Sequence, residues 1–286
     1  MMYRTRTITL TTSLALLFGV ASTSAQDGAY EILTDIVRHE TTEDIHVWAP
    51  EGEGPFPIVY AIHGSADLVG GDWDVIGTAL AQHGVVVFAP DYHATDRFTG
   101  RWDRISSEME CSYRFAHEVA ADFGGDVEQP IAFIGHSLGA TLALTGGLDL
   151  AGGYLAPGGT FNECFAGVPR ADVIIGLAGC HYEAPQEGLA FDFDPQIYDD
   201  TDATIVLVGG ENDEVCPAWQ SKDAAEALTA VGHRATAVEI PDATHFSLIG
   251  HEVVDGEWVT LADGPAPAQV VQVTLDSIRD VADAGD

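Results

Sequence analysis

The sequence has few basic residues and no internal repeat, and each shortage excludes a class of protein. Its 286 residues contain 11 lysines and arginines against 45 aspartates and glutamates, a net charge of −34 at pH 7. Proteins that bind nucleic acid contact its phosphates through clustered Lys and Arg. We therefore expect neither nucleic acid nor a membrane surface as a partner. The absence of a repeated unit argues against a solenoid or a propeller.

Lysine is almost missing, since Lys222 is the only one in the chain. So large an acidic excess keeps a protein soluble but makes its charges repel one another. Salt screens that repulsion. The composition therefore supports the hypothesis of a saline habitat, and a stability that did not change with NaCl concentration would contradict it.

Long apolar runs are missing except near the N-terminus. Arg4 and Arg6 precede an apolar stretch over residues 8–20, and small residues follow it. This order is typical of a secretory signal peptide with cleavage after Ala25. The stretch is shorter than the roughly 20 apolar residues of a membrane-spanning helix. We therefore predict a signal peptide over residues 1–25 and a secreted or periplasmic protein.

Cysteine is scarce, but its even number is informative in an exported chain. The four cysteines can form two disulfides in three pairings. Cys180 and Cys216 each follow the end of one of two predicted neighbouring strands. Such ends lie about 5 Å apart, which suits a disulfide. We predict the pairs Cys180–Cys216 and Cys111–Cys164.

Metal-binding patterns are also missing. No two cysteines have the C-x-x-C spacing of a zinc site. The aspartate-rich run over residues 192–202 lacks the glycine and the closing glutamate of an EF-hand loop. We expect no bound metal.

Apolar strands and helical segments alternate from about residue 30 onwards. Continuously apolar runs such as PIVYAI, VVVFAP, PIAFIG and TIVLVG are separated by stretches with helical spacing. This alternation indicates a parallel sheet with helices on both faces. Residues 26–286 are therefore predicted to form one doubly wound α/β domain. Residues 151–170 and 181–200 do not fit the alternation and are expected to be loops.

A serine lies at one of the predicted strand-to-helix turns. Ser137 is the centre of Gly-His-Ser-Leu-Gly, which matches the G-x-S-x-G pattern in the strand–turn–helix context that this pattern requires. Gly135 and Gly139 are expected because a side chain at either position would clash with the neighbouring strand or helix. The turn raises the hydroxyl above the sheet edge, so Ser137 is predicted to be a nucleophile.

A serine nucleophile needs a base, and the base needs an acid. His245 follows the last predicted strand, so its loop can reach Ser137. Asp213 follows the strand before, which gives the chain order Ser, Asp, His. Competing acids are Glu211, Glu214 and Asp242. His136 is expected to pack beside the serine, and most other histidines, including His251, fit an ordinary surface position.

Acyl transfer also needs donors for the developing oxyanion. The backbone amide of Leu138, directly after the nucleophile, is the first candidate. The second is the amide of Ser65 or Ala66, in the loop after the strand that ends at His63. We expect His63 to be a structural histidine that bonds backbone atoms.

At these residues the sequence resembles the α/β-hydrolase superfamily, over about residues 30–283. The resemblance rests on IHGSA, GHSLGA, GENDEVCP and DATHFSL in this order. Within the superfamily it is most similar to secreted dienelactone-hydrolase-like and polyester-hydrolase-like (cutinase-like) enzymes. It departs from the former by having Ser137 in place of a cysteine nucleophile. The resemblance implies a mostly parallel eight-stranded sheet with helices on both faces, no large cap domain and no cofactor.

The expected reaction is hydrolysis of carboxylic esters through an acyl-enzyme, with short- to medium-chain or aryl esters as substrates. Tyr182, Phe191 and Phe193 either line the substrate pocket or only pack their loop. A polyester hydrolase or lipase, an amidase or peptidase with the same triad, and a non-catalytic binding protein are the alternatives. The sequence does not decide the oligomeric state, for which a monomer is the favoured expectation.

Overall fold

The computed structural model describes the larger part of the chain, in segments: 30–38, 43–65, 68–99, 101–148, 164, 170–184, 189–190, 193–197 and 202–285. The signal peptide predicted over residues 1–25 lies outside these segments, and so do Ala66 and Phe191. Among the described helices, none combines the length and apolarity that crossing a membrane requires.

An eight-stranded sheet forms the centre of the molecule. Its strands lie in the order β1-β2-β4-β3-β5-β6-β9-β10. The first two pairings, β1–β2 and β2–β4, are antiparallel, and the others are parallel. The strands are β1 (Ile32–Val37), β2 (Ile45–Pro50), β3 (Ile58–Ile62), β4 (Val86–Pro90), β5 (Ile131–His136), β6 (Val173–Leu177), β9 (Thr204–Gly210) and β10 (Arg234–Ile240).

Helices cover the sheet because its central strands are apolar on both faces. Every residue of β3, β4, β5 and β6 is buried, as expected for parallel strands between two helical layers. One layer of the core joins the sheet to α2, α3 and α4, and the other joins it to α1 and α5. The helices described are α1 (Asp74–Gln82), α2 (Trp102–Val119), α3 (Leu138–Leu148), α4 (Trp219–Ala230) and α5 (Pro265–Gly285).

Within the described segments, two small strand pairs lie outside the main sheet. One consists of the two-residue strands β7 (Glu183–Ala184) and β8 (Leu189–Ala190). The other is an antiparallel hairpin of β11 (His251–Val254) and β12 (Glu257–Thr260), which comes between the His245 loop and α5. This hairpin was not predicted from the sequence.

Both predicted disulfides are present. Cys180 is bonded to Cys216 with their Cα atoms 4.9 Å apart, and Cys111 is bonded to Cys164 with theirs 5.0 Å apart. The first bond joins the segments that follow β6 and β9, two neighbouring parallel strands. It therefore braces the loop that contains Asp213.

Candidate active site

Ser137 occupies a strained turn between β5 and α3. Its backbone has φ 55°, in the left-handed region that few residues other than glycine adopt. Two glycines make the turn possible. A Cβ at Gly135 would overlap the carbonyl oxygen of Gly139, and a Cβ at Gly139 would overlap the carbonyl oxygen of Ile62. The turn is therefore as tight as G-x-S-x-G predicts, and it places Ser137 at the carboxyl edge of the sheet.

His245 and Asp213 are hydrogen-bonded to each other at the same edge of the sheet. His245 Nδ1 lies 2.8 Å from Asp213 Oδ2, and both residues are 5% exposed. The other carboxylate oxygen of Asp213 accepts hydrogen bonds from the amides of Val215 and Cys216, both at 2.8 Å. Because a carboxylate can only accept here, Nδ1 is the protonated ring nitrogen and Nε2 is free to take a proton.

The competing acid Glu211 is engaged elsewhere. Its Oε2 accepts a hydrogen bond from the amide of Asp242 at 3.0 Å. Asp242 itself has φ 58°, so this bond holds a strained turn in the loop that leads to His245. Glu214 is exposed to solvent. Of the four acids weighed, Asp213 is the one that contacts the histidine.

His136 links the serine turn to the His245 loop. Its Nε2 donates a hydrogen bond to the carbonyl oxygen of His245 at 2.9 Å, and the two rings lie 4.7 Å apart. Burial first, and the nearby rings of His245 and His63 next, lower the pKa of His136 well below its usual range. The ring is therefore neutral with its proton on Nε2. The expectation of a packing role is incomplete, because this residue also fixes the position of the His245 backbone.

The loop after β3 is held by its own histidine. His63 Nδ1 donates to the carbonyl oxygen of Gly64 at 2.7 Å, and its Nε2 accepts from the amide of Tyr92 at 3.3 Å. Tyr92 completes the support, since its hydroxyl donates to the carbonyl oxygen of His63 at 2.7 Å. Burial lowers the pKa of His63 to about 4. The neutral ring thus orients the Gly64–Ser65 peptide, as expected of a structural histidine.

The predicted oxyanion donors are partly located. Leu138 is the first residue of α3, and the first amides of a helix have no partner within it. Ser65 directly follows Gly64, whose carbonyl oxygen accepts a hydrogen bond from His63. A Cβ at Gly64 would lie 3.0 Å from the Cβ of Ser137. The loop therefore lies against the serine turn. The alternative donor, Ala66, is outside the described residues.

His251 was assigned to the surface from the sequence, and this assignment is wrong. The residue is 3% exposed, and its Nε2 donates to the carbonyl oxygen of Asp72 at 2.9 Å and lies 3.3 Å from Asp74 Oδ1. Burial alone would lower the pKa of His251, but the hydrogen bonds to Asp74 and to the Asp72 backbone, together with the two negative charges, outweigh burial and raise the pKa. A single histidine in an unrecognised hairpin carries no local signal that distinguishes it from a surface residue.

Tyr182 and Phe193, two of the predicted pocket residues, lie together. Their rings are 5.7 Å apart in an edge-to-face arrangement, and the Tyr182 ring stacks on Trp219 at 5.9 Å. Both pack against the core layer of α2, α3 and α4. Tyr182 and Phe193 therefore pack their segment against the core, whereas their contact with substrate stays a prediction.

The fold is similar to solved structures of esterases. A thermophilic esterase from Thermogutta terrifontis, Est2 with propionate bound, has a TM-score of 0.60 and 18% identity over 89% of this chain and 95% of that one. Esterase B from Lactobacillus rhamnosis has a TM-score of 0.65 and 15% identity over 89% of this chain and 87% of that one. Carboxyl esterase 2 from the fungus Tuber melanosporum has a TM-score of 0.60 and 15% identity over 90% of this chain and 89% of that one. No protein family model and no curated protein sequence match the chain.

These likenesses establish the architecture. The mixed, mostly parallel eight-stranded sheet with helices on both faces is the α/β-hydrolase fold. Identities of 15% to 18% do not carry the reaction or the substrate from those proteins to this one. The dienelactone-hydrolase-like or cutinase-like subtype stays a prediction.

Proposed function

We propose that this protein is a secreted serine esterase, in which Ser137 is the nucleophile, His245 the general base and Asp213 the acid that orients it. The hydrogen bond between Asp213 and His245, at the sheet edge where Ser137 occupies its strained turn, is the observation that carries the proposal. The resemblance of the fold to esterases supports the same chemistry. The reaction requires no cofactor.

The proposed cycle moves one proton in each half-reaction. Ser137 Oγ attacks the acyl carbon while its proton passes to His245 Nε2. The developing oxyanion accepts hydrogen bonds from the amide of Leu138 and from that of Ser65 or Ala66. His245 then gives its proton to the leaving alcohol oxygen, and the C–O bond of the ester breaks. A water molecule, deprotonated by His245, then attacks the acyl carbon. The bond to Ser137 Oγ breaks, His245 returns its proton to Oγ, and the acid is released.

The experiment is hydrolysis of a p-nitrophenyl ester series from acetate to palmitate, with the Ser137→Ala variant as control. We expect turnover that is greatest with short to medium acyl chains and that is lost in the variant. A maximum at long chains would instead indicate a lipase, and hydrolysis of anilides alone would indicate an amidase. No turnover by the folded protein at low or high salt would favour a binding protein.

A further inference from the structure

The β11–β12 hairpin presents apolar side chains beside the candidate active site. Val253 and Trp258 are 50% and 42% exposed. They form a cross-strand pair, so both lie on one face of the hairpin, with His251 on the same face. A single exposed tryptophan needs no special explanation, but the contacts of this one connect it to His245.

A chain of aromatic contacts joins the hairpin to the catalytic histidine. The Trp258 ring lies 5.0 Å from that of Phe246 in an edge-to-face arrangement. The Phe246 ring lies 5.0 Å from that of His245, again edge to face. Phe246 is only half-buried. The surface next to His245 is therefore aromatic, and it extends outward to Trp258.

Trp258 also contacts His251, which bonds the hairpin to Asp72. Trp258 stacks on His251 with ring centres 5.0 Å apart and an interplanar angle of 20°. His251 donates to the carbonyl oxygen of Asp72, in the helical turn Gly70–Trp73. Trp258 is thus held between Phe246, which directly follows His245, and His251, which is bonded to the turn of residues 70–73.

From this position we propose that Phe246 and Trp258 form the subsite for the alcohol group of the ester and select planar, apolar alcohols. The inference rests on the proposed function. His245 delivers its proton to the leaving alcohol oxygen, so the alcohol group lies on the side of His245, where the aromatic surface begins. Aromatic rings favour edge and offset contacts with one another, and an aryl or benzyl group can make them here.

Charge narrows the class of alcohol further. The hairpin contains Glu252, Asp255 and Glu257 and neither lysine nor arginine. His251, its one basic group, already bonds Asp74. Glu252 and Glu257 lie on the face opposite Trp258 and do not line the subsite, but an alcohol with a carboxylate or phosphate would find no lysine or arginine on the hairpin to compensate its charge. The subsite therefore takes neutral alcohols and excludes anionic ones.

The test compares benzyl acetate with methyl acetate, which release alcohols of similar acidity and leave the same acetyl-enzyme. In Trp258→Ala we expect the benzyl-to-methyl ratio of kcat/KM to fall about three- to tenfold, the worth of one aromatic contact. Both esters give the same acetyl-enzyme, from which the alcohol has already left. The rate of deacylation should therefore be the same in Trp258→Ala as in wild type. Trp258→Phe should keep most of the ratio, since an aromatic ring remains. Acetate of 4-carboxybenzyl alcohol should be a poorer substrate than benzyl acetate.

Val259→Ala is the matched control, because Val259 is exposed on the opposite face of the same hairpin. It should leave the ratio unchanged. An unchanged ratio in Trp258→Ala, with both esters still hydrolysed, would overturn the subsite but not the esterase. An equal fall for both esters would show that the hairpin acts through His245 and would also overturn the subsite. Failure of the folded wild type to hydrolyse either ester would overturn both proposals.

Discussion

Ser137 and His245 lie at the same edge of the sheet, yet they are held there in different ways. On the serine side, residues 131–148, the turn is fixed by backbone sterics between β5, α3 and the end of β3. On the histidine side, residues 240–260, the loop is held by hydrogen bonds with distant residues: it donates to Asp213 and Glu211 and accepts from His136. A substitution in the serine turn is therefore expected to destabilise the fold. On the histidine side, single hydrogen bonds can be removed one at a time while the fold is kept.

The largest effect should come from breaking the acid–base pair of the histidine side. Asp213→Asn should keep the fold but lower kcat by about 10³- to 10⁴-fold, because the amide no longer fixes the tautomer of His245. Steady-state kinetics with p-nitrophenyl acetate would measure this. Glu214→Gln, a charge-neutralising change at the exposed neighbouring position, is the control and should stay close to wild type. A small loss in Asp213→Asn would contradict the assignment of the acid.

On the serine side, the corresponding substitution introduces a steric clash and should lower the stability of the fold. Gly139→Ala pushes a methyl group onto the backbone oxygens of Ile62 and His63, and we expect it to lower the free energy of unfolding by about 3 kcal/mol or more. Urea unfolding followed by circular dichroism would measure the change. Gly52→Ala is the control, since its Cβ makes only an ordinary contact with Phe56 at 3.6 Å. Equal stability of the two variants would mean that the turn is not sterically fixed.

Changing pH should sharpen the comparison, because the pKa of His63, in the loop packed against the serine turn, is lowered, whereas the pKa of His251, on the histidine side, is raised. Burial lowers the pKa of His63, beside the serine turn, to about 4. The unfolded chain therefore binds this proton first, and stability is lost as pH falls below about 6.5. Between pH 6.5 and 5, wild type should lose about 1.5 kcal/mol more than His63→Asn in urea unfolding. An equal loss would contradict the buried neutral ring.

His251, under the hairpin, should behave in the opposite way. Its raised pKa means that its contribution is fully present below the unfolded pKa of about 6.5 and is lost as pH rises through the folded value. Hydrogen exchange of the hairpin amides should therefore be faster relative to the core above neutral pH, and His251→Gln should abolish that dependence. Protection that did not change with pH in wild type would contradict the anchor to Asp74.

The smallest effect should come from the hydrogen bond between His136 and His245, which joins the two sides. His136→Phe keeps an aromatic ring but removes the donor to the His245 carbonyl, and we expect kcat/KM to fall roughly tenfold, the order of one buried hydrogen bond. His136→Gln can present an amide nitrogen near the position of Nε2 and should recover most of the loss. A purely packing role predicts no such rescue, and equal activity of the two variants would support it.

The same contrast explains what the sequence could predict. The serine turn is local, so GHSLGA together with an apolar strand before it and a helix after it was sufficient to predict its geometry. Asp213 and His245 were found because the ends of parallel strands meet at one edge, whatever their separation along the chain. The Cys180–Cys216 bond followed from the same rule.

The hairpin and its histidine could not be found in that way. In HEVVDGEWVT the apolar residues do not alternate regularly, and its strands of four residues are short. The burial of His251 depends on Asp72 and Asp74, which precede it by more than 170 positions. The hydrogen bond from His136 to His245 is equally non-local, since it spans 109 residues. Contacts between distant side chains leave no periodic pattern in a sequence.

The most direct test of the central claim is covalent labelling of the folded protein with a fluorophosphonate, followed by mass spectrometry of its peptides. The account predicts one label per chain, on Ser137, that is lost in Ser137→Ala and forms much more slowly in His245→Gln. No label on the folded protein, or a label on a different residue, would contradict the assignment of Ser137 as a nucleophile activated by His245.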